Sequence, residues 1–346
     1  MGLYDEIADL PLEIEACEFE THERDTSSDF TRVTTEIVLQ GAGETGRGED
    51  VTYEADDQYA LADATFDLSG KYTLDEFSAT LSDLDLFPAG PSRDDFRQYR
   101  RWGFESSALD LALRQAGTDL PTVLGRTALP VEFVVSTRLG DPPSAERVRR
   151  WLDIDPHLSF KLDATPEWSS ELVSELAATG NVRIVDLKSQ YEDAAVGQSA
   201  EPDLYCRVRD GLPDVVIEDP AYTNETAPIL DSARNRISWD VPITSVESVE
   251  SLPFEPKWLN IKPSRFGSVE SLFDTLEYCD RHEIRLYGGG QFELSVGREQ
   301  IQLLASLFYP NSPNDVAPRG YNDPEPTDGL PTSPLDAPTV EGFRRP

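Results

Sequence analysis

The hydrophobic pattern of the N-terminal third predicts a small β-rich region. Residues 12–20 and 31–39 alternate apolar with polar side chains or run apolar, as half-buried strands do. The polar stretch 21–29 between them has the turn-forming residues of a mobile loop. Four glycines after the second strand predict a tight turn: Gly41, Gly43, Gly46 and Gly48. They lack the Gly-Lys-Ser/Thr ending of a phosphate-binding loop.

A helical pattern follows in residues 94–117. Leu109, Leu113 and Ala116 recur at helical spacing, and Gly117 is a typical C-terminal stop. Together with the preceding strands, this helix predicts an α+β domain, which we place at residues 1–128.

After residue 130 the pattern changes to short apolar runs that alternate with helical stretches. The runs are the candidate strands of this half: 131–137, 158–163, 182–187, 214–218, 236–240, 257–262 and 284–288. This alternation predicts right-handed βαβ units and a parallel sheet. Seven candidate strands favour a closed barrel over an open doubly wound sheet, although an eighth strand is not evident. We place the barrel at residues 129–322.

One helix and the C-terminus can be described further from the sequence. Thr165 is a typical N-cap residue, Pro166 a typical first helical residue, and Gly180 a typical end. The last 24 residues contain six prolines, which predicts an extended or partly disordered tail at 323–346.

The net charge of the chain excludes some classes of binding partner. The chain has 65 acidic against 30 basic residues, a formal net charge of −35. This field repels nucleic acid and anionic membranes, so neither is expected as a partner. No run of about 18 apolar residues and no secretion signal is present, so a cytoplasmic protein is expected. The three widely spaced cysteines indicate neither a disulfide framework nor a metal knuckle.

Lysine is rare in this chain. The basic residues include only five lysines, at positions 71, 161, 188, 257 and 262. A uniformly acidic, lysine-poor surface is typical of a protein in very salty cytoplasm, and we interpret the chain as halophilic. Each lysine of such a chain is a candidate for a specific role.

The apolar runs of the barrel half end with ionisable residues. These are the candidate site residues: Lys161, Asp163, Asp186, Lys188, Glu218, Asp240 and Lys262. In a parallel barrel the C-terminal strand ends face one opening, where active sites form. Asp186, Glu218, Asp240 and Lys262 follow one another at intervals of 32, 22 and 22 residues, which places them on successive strands.

Asp186, Glu218 and Asp240 form an all-oxygen set that suits Mg²⁺. Lysines on flanking strands can act as acid or base, because burial and a nearby cation lower a lysine pKa. Glu247 is a competing ligand, but the equal spacing on both sides favours Asp240. The alternative is that all these residues are solvated side chains at loop starts.

Five segments carry distinctive motifs: ETGRGE (44–49), SALDLALRQAG (107–117), IEDP (217–220), NIKPSRFGS (260–268) and GGGQFELSVGR (288–298). Together they resemble segments of the enolase superfamily. The resemblance implies an α/β fold, in which an N-terminal α+β capping domain sits on a (β/α)7β TIM-like barrel. It implies Mg²⁺, with Mn²⁺ as an alternative, held by Asp186, Glu218 and Asp240. It further implies removal of a proton α to a carboxylate, with the enediolate stabilised on the metal.

The basic residues indicate one branch of that superfamily. Branches that use a strand-seven histidine are not indicated, because the histidines are His22, His157 and His282. Lys262 at the end of strand six resembles the muconate-cycloisomerase-like branch. That branch contains cycloisomerases, o-succinylbenzoate synthases, dipeptide epimerases and N-acylamino-acid racemases.

The sequence departs from this branch in two places. Strand two reads Lys161-Leu162-Asp163 where the branch has Lys-x-Lys, and Lys188 stands where an Asn usually follows the metal-binding Asp. Strand residues two apart share a face, so all these side chains should point into the barrel mouth. Either the basic function has moved to Lys188, or Asp163 and Lys188 neutralise each other and leave Lys262 alone.

The sequence therefore predicts a lyase or cycloisomerase that acts on a small carboxylate, of the o-succinylbenzoate-synthase or muconate-cycloisomerase type. The alternatives are a dipeptide epimerase or N-acylamino-acid racemase, and a non-catalytic carboxylate-binding barrel. A homo-oligomer is expected. The catalytic candidates are Lys262, Lys161, Lys188, Asp163 and Glu293, the last as a pocket-lining group or a helix cap. His22, Arg24 and Arg32 either meet a second substrate carboxylate or make surface pairs.

Overall fold

The computed structural model describes residues 2–28, 30–191 and 197–345. Its N-terminal strands are β1 (Pro11–Ile14), β2 (Ala16–Asp25), β3 (Thr31–Gly41), β4 (Glu44–Asp50) and β5 (Gly70–Thr73). Strands β2, β3 and β4 form an antiparallel sheet, and β1 pairs with β5. The helices of this region are α1 (Asp5–Ala8), α2 (Ala55–Ala62), α3 (Leu74–Asp83), α4 (Phe96–Gln115) and α5 (Leu120–Val123).

The predicted long helix is confirmed as α4, which packs on β4. Close approach explains two of the four glycines. A Cβ atom at Gly46 would collide with the carbonyl of Ser107, and one at Gly48 with the carbonyl of Gly103. The tight turn itself is narrower than predicted and centres on Gly43, whose φ is +82°.

The prediction of a loop over residues 21–29 is wrong for its first half. Strand β2 continues through Asp25, which pairs with Thr31, and the hairpin tip closes between Thr26 and Phe30. Asp29 lies outside the described residues. These polar residues are held in an extended strand by backbone pairing with the buried strand β3. Their composition alone does not indicate a strand.

The C-terminal half contains one parallel sheet. Its strands lie in sequential order: β6 (Val135–Thr137), β7 (Phe160–Asp163), β8 (Val182–Asp186), β9 (Val216–Glu218), β10 (Ile237–Trp239), β11 (Trp258–Ile261) and β12 (Arg285–Gly288). All seven predicted strands are therefore present. The helices are α6 (Glu146–Ile154), α7 (Ser170–Thr179), α8 (Pro202–Gly211), α9 (Ala227–Leu230), α10 (Val246–Glu250), α11 (Pro263–Phe266), α12 (Val269–Arg281) and α13 (Val296–Phe308).

The predicted start of one helix is wrong. Helix α7 begins after Ser169, whose side chain accepts a hydrogen bond from the Leu172 amide at 3.2 Å. Thr165 and Pro166 precede it in a turn that buries Trp168. The end at Gly180 is confirmed, with φ +71°.

The segment that follows α13 reaches both edges of the sheet. Asn314 bridges to Phe133, and Asp315 bridges to Gly289 beyond β12. The tail is extended, and it returns to the N-terminal region, where Phe343 is fully buried. The Phe343 amide donates to the carboxylate of Asp110 on α4 at 2.8 Å.

One continuous cluster of buried apolar side chains runs through both halves of the chain. It includes Phe77 and Phe104 in the N-terminal region, and Trp151 and Trp239 beside the parallel sheet. The N-terminal elements contact the C-terminal half through α4, which packs on α11 and α12, and through β4, which packs on α13. Of the helices described, none is both long and apolar enough to cross a bilayer.

Candidate active site

The parallel register brings the predicted carboxylates to one edge of the sheet. Asp163 pairs with Asp186, and Asp186 pairs with Glu218 across three neighbouring strands. Ser238 of β10 pairs with Glu218, and Asp240 follows directly after that strand. Side chains that are far apart in the sequence therefore lie together at the C-terminal strand ends. We call Lys161, Asp163, Asp186, Lys188, Glu218, Asp240 and Lys262 the strand-end cluster.

Lys161 lies at the centre of the cluster. Its ammonium nitrogen is 2.5 Å from Glu218 Oε1, 3.6 Å from Asp186 Oδ2 and 3.5 Å from Asp315 Oδ2. Burial alone would lower the pKa of Lys161, but the surrounding carboxylates outweigh burial and raise it well above its usual value. Lys161 therefore acts here as a buried positive charge.

Glu218 is held by several donors. The Asn260 amide nitrogen lies 3.3 Å from Oε1, and the Tyr287 hydroxyl donates to Oε2. Burial raises the pKa of Glu218 to about 8, and nearby Asp186 acts in the same direction, while Lys161 opposes the rise. Burial and the neighbouring carboxylates thus disfavour the ionised form of Glu218.

Lys188 reaches back over the strand ends. Its backbone has φ +53°, a left-handed conformation that costs energy for a residue with a side chain. Its amide donates to Asp186 Oδ1 at 2.9 Å, and its ammonium lies 2.6 Å from Asp186 Oδ2 and 3.4 Å from Asp163 Oδ1. The two carboxylates overcome the effect of burial and raise the pKa of Lys188. The ion pair between Asp163 and Lys188 is therefore present.

Two cations bind Asp240. Lys262 Nζ lies 2.9 Å from Oδ2, and Arg265 Nε donates to Oδ1 at 3.0 Å. Burial would lower the pKa of Lys262, but the charge of Asp240 raises it above the usual value. Lys161 acts in the opposite direction and lowers the pKa of Lys262, but its effect is smaller than that of Asp240.

Glu293 makes its contacts elsewhere. Its Oε1 accepts from the Gln291 amide at 2.6 Å, and its Oε2 lies 3.1 Å from Arg298. Among the described residues it has no contact with the lysines of the strand-end cluster. The N-cap of α13 is Ser295, so these contacts do not make Glu293 a helix cap, and its role as a pocket-lining group stays a prediction.

Other candidates are also separated from the cluster. Glu247 is exposed on α10, whereas Asp240 is fully buried, which supports the choice of Asp240. Arg24 pairs with Asp323, and Arg32 donates to backbone carbonyls in the capping region. The histidines lie away from the strand ends: His22 near Glu36, exposed His157, and His282 stacked on Tyr278.

Several contacting residues were not singled out from the sequence. Arg265 lies three residues after Lys262 in the NIKPSRFGS motif, so this motif was an available signal. Tyr287 and Asn260 are polar residues inside apolar strands, which is also a usable sign. Asp315 carries no such signal, because only the fold brings it near Lys161.

The cluster fits a magnesium ion by donor type, because its three carboxylates supply oxygen ligands. Asp186 Oδ2 is buried, and it lies 2.6 Å from Lys188 Nζ and 3.6 Å from Lys161 Nζ. Within residues 2–28, 30–191 and 197–345, no three His, Cys, Asp or Glu side chains stand together in a ready arrangement for a metal. Each of the three carboxylates instead lies against a cationic partner. Binding Mg²⁺ requires these carboxylates to exchange such contacts for the ion.

Solved structures with this architecture belong to the enolase superfamily. A member from Listeria innocua aligns with a TM-score of 0.70 and 19% identity, over 96% of this chain and 94% of that chain. Muconate lactonizing enzyme from Pseudomonas putida aligns with a TM-score of 0.66 and 22% identity, over 96% of both chains. Dipeptide epimerase from Methylococcus capsulatus, complexed with Mg ion, aligns at 0.66 and 18%, over 88% of this chain and 89% of that chain. The chain has the fold of the enolase superfamily, as the sequence motifs predict.

Family profiles cover most of the chain. The profile described as "Domain of unknown function (DUF8230) N-terminal domain" matches residues 5–123, and the corresponding C-terminal domain matches 127–323. The chain belongs to the DUF8230 family. Among curated proteins, o-succinylbenzoate synthase of Bacillus subtilis is 24% identical over 222 residues, which span 62% of this chain and 58% of that protein. The match thus covers little more than half of that relative.

Proposed function

We propose that this chain is a Mg²⁺-dependent enzyme that removes a proton α to a carboxylate, as a lyase or cycloisomerase. The observation that carries the proposal is the strand-end cluster, in which three carboxylates on successive strands are flanked by buried Lys161 and Lys262. The relatives named above include a lyase-type synthase, a lactonizing enzyme and an epimerase, which supports the same class of chemistry.

Each part of the cluster has a proposed role. Asp186, Glu218 and Asp240 hold the ion, which when bound supplies positive charge beside the substrate carboxylate. Lys262 exchanges the α-proton as an amine, and as an ammonium it stabilises the negative charge that develops. Lys161 lies 2.5 Å from Glu218 Oε1 and favours the ionised form of this carboxylate against the effect of burial.

The number of basic residues that act in the reaction distinguishes the reaction types. One lysine, Lys262, suffices for a syn-elimination or a cycloisomerisation. An epimerase or racemase needs a second base, and Lys188 supports that alternative because it lines the cavity beside the strand ends. If Lys188→Ala costs as much turnover as Lys262→Ala, the two-base alternative is favoured. The ion pair with Asp163 supports the one-base reading.

The experiment is deuterium exchange at the α-carbon of a carboxylate library in D₂O, followed by NMR with Mg²⁺ and after chelation. We expect exchange in at least one carboxylate, and we expect chelation to abolish it. Exchange that does not depend on Mg²⁺ contradicts the proposed mechanism. A complete lack of exchange favours the alternative of a barrel that binds a carboxylate without turnover.

Closure of the sheet into a (β/α)7β barrel is part of the same proposal. It is supported by the bridges that join the segment 314–315 to Phe133 on one side and to Gly289 on the other. The domain limits 1–128, 129–322 and 323–346 stay predictions. So do the use of Mn²⁺, a homo-oligomeric assembly and a cytoplasmic location.

A further inference from the structure

A cavity of about 690 Å³ lies beside the strand-end cluster. Asp163 and Lys188 form part of its lining. Ser27 and Ser28 of the β2–β3 hairpin line it too, together with helix α6 and the segment 324–325. This volume is in the range of pockets that hold small organic ligands. The cavity therefore extends from the candidate reacting groups to the capping hairpin.

Arg138 is a positively charged side chain of this cavity that is only weakly paired. It follows directly after β6, and half of its side chain is exposed. Its one contact among the described residues is from Nε to Asp163 Oδ2 at 3.4 Å. Its two terminal nitrogens thus have no acceptor in that part of the chain.

The other two arginines of the cavity are already engaged. Arg147 donates to the carbonyls of Pro324 at 2.7 Å and Asp323 at 3.1 Å. Arg150 pairs with Glu325 at 2.6 Å. These contacts hold the C-terminal segment against α6 as a wall of the cavity. The nitrogen–oxygen distance of the Arg138 pair is 3.4 Å against 2.6 Å for the Arg150 pair, so Arg138 is the guanidinium more readily available to a ligand.

We infer that Arg138 binds a second oxyanion of the substrate in this cavity, beside Asp163 at the end of β7. The inference rests on the proposed function, and it makes the substrate a carboxylate with a second carboxylate or a phosphate. A guanidinium presents a planar fork of donors that matches the oxygens of either group. In a chain of net charge −35, a half-exposed arginine beside a cavity gives an anion a local point of attraction.

The test uses calorimetric binding to the full chain with Mg²⁺ in KCl. The probes are succinate, glutarate, adipate and pimelate, each compared with the monocarboxylate and the ω-phosphonate of equal chain length. We expect at least one doubly anionic probe to bind about tenfold more tightly than its monocarboxylate, as one charged hydrogen-bonded contact predicts. The comparison of dicarboxylate with phosphonate identifies which oxyanion the site prefers.

Arg138→Gln should abolish this preference while leaving monocarboxylate binding and the melting temperature unchanged. Arg149→Gln is the matched control, because Arg149 lies on α6 outside the cavity, pairs with Glu175 and is 60% exposed. A preference that survives in Arg138→Gln overturns the inference, and so does the absence of any preference in the wild type.

The outcome is separable from that of the deuterium-exchange experiment. If doubly anionic probes bind more tightly in a way that depends on Arg138, but no probe exchanges its α-proton, the oxyanion site is supported and the proposed activity is contradicted. If an α-proton exchanges but doubly anionic probes bind no more tightly than monocarboxylates, the proposed activity is supported and the oxyanion site is contradicted.

Discussion

Each carboxylate that we assign to the metal lies against a positively charged side chain. The pairs are Lys161 with Glu218, Lys188 with Asp186, and Lys262 with Asp240. A buried carboxylate without a partner costs several kcal/mol, so burial at the strand ends requires these cations. Substitution of one member therefore changes both the chemistry and the charge balance of the site, and a test needs a surface control.

Lys262→Ala should lower turnover by about 10²–10⁴-fold, the usual contribution of a general acid or base. Mg²⁺ affinity should persist because Lys262 is not a ligand, and Arg265 remains to neutralise Asp240. The measurement is the exchange rate of the α-proton in a carboxylate of the library that exchanges with the wild type. Lys257→Ala is the control, since Lys257 precedes the same strand but is half exposed and pairs with Glu255. Nearly full activity of Lys262→Ala would show that the branch assignment is wrong.

Asp240→Asn should weaken Mg²⁺ binding and abolish activity, because the amide removes one negative donor from the three-carboxylate set. Glu247→Gln should change neither, since Glu247 is exposed on α10. Calorimetric titration of Mg²⁺ into both variants makes the comparison. The reverse result would move the ligand from Asp240 to Glu247 and contradict the assignment of this strand end.

The elements differ in how well their own residues specify them. Helix α4 was predicted within two residues of each end, because its periodic apolar face is long. The start of α7 was misplaced, since Thr165 and Ser169 are both acceptable caps and the packing of Trp168 decides between them. Strand β2 was predicted too short, because its polar end is held by β3 and not by its own pattern.

Strand β4 gives a prediction at the scale of elements. Gly48→Ala should destabilise the protein by about 1–3 kcal/mol, because the added Cβ collides with the Gly103 carbonyl and forces β4 and α4 apart. The free energy of unfolding in urea measures the effect. Gly43→Asn is the control, since position 43 has open space and asparagine accepts its left-handed conformation. Equal stability of the two variants would contradict the close packing of β4 on α4.

The net charge of −35 acts on the whole molecule. Repulsion among so many carboxylates disfavours the compact state at low ionic strength, and salt screens that repulsion. We expect the melting temperature to rise substantially between low and multimolar KCl. Scanning calorimetry across that range is the measurement. A melting temperature that does not change with KCl would refute the interpretation of the chain as halophilic.

The sequence by itself determined which residues stand at the strand ends. Alternating apolar runs and helices imply a parallel sheet, and parallel strands carry their C-terminal ends to one side. That reasoning predicted Asp186, Glu218 and Asp240 at successive strand ends; the register pairs Asp186 with Glu218, and Asp240 follows directly after the next strand. The motifs added the superfamily, which the solved structures share as a fold.

Only the tertiary structure decided which acidic side chain pairs with which basic side chain. Lysine and arginine side chains are long and have many rotamers, so strand position does not fix their partners. Packing placed Lys188 between Asp163 and Asp186, took Arg24 to Asp323, and left Arg138 open beside the cavity. Such contacts join positions that can be hundreds of residues apart, and their distances depend on how the sheet, the hairpin and the C-terminal tail pack on one another. Local sequence patterns do not determine that packing.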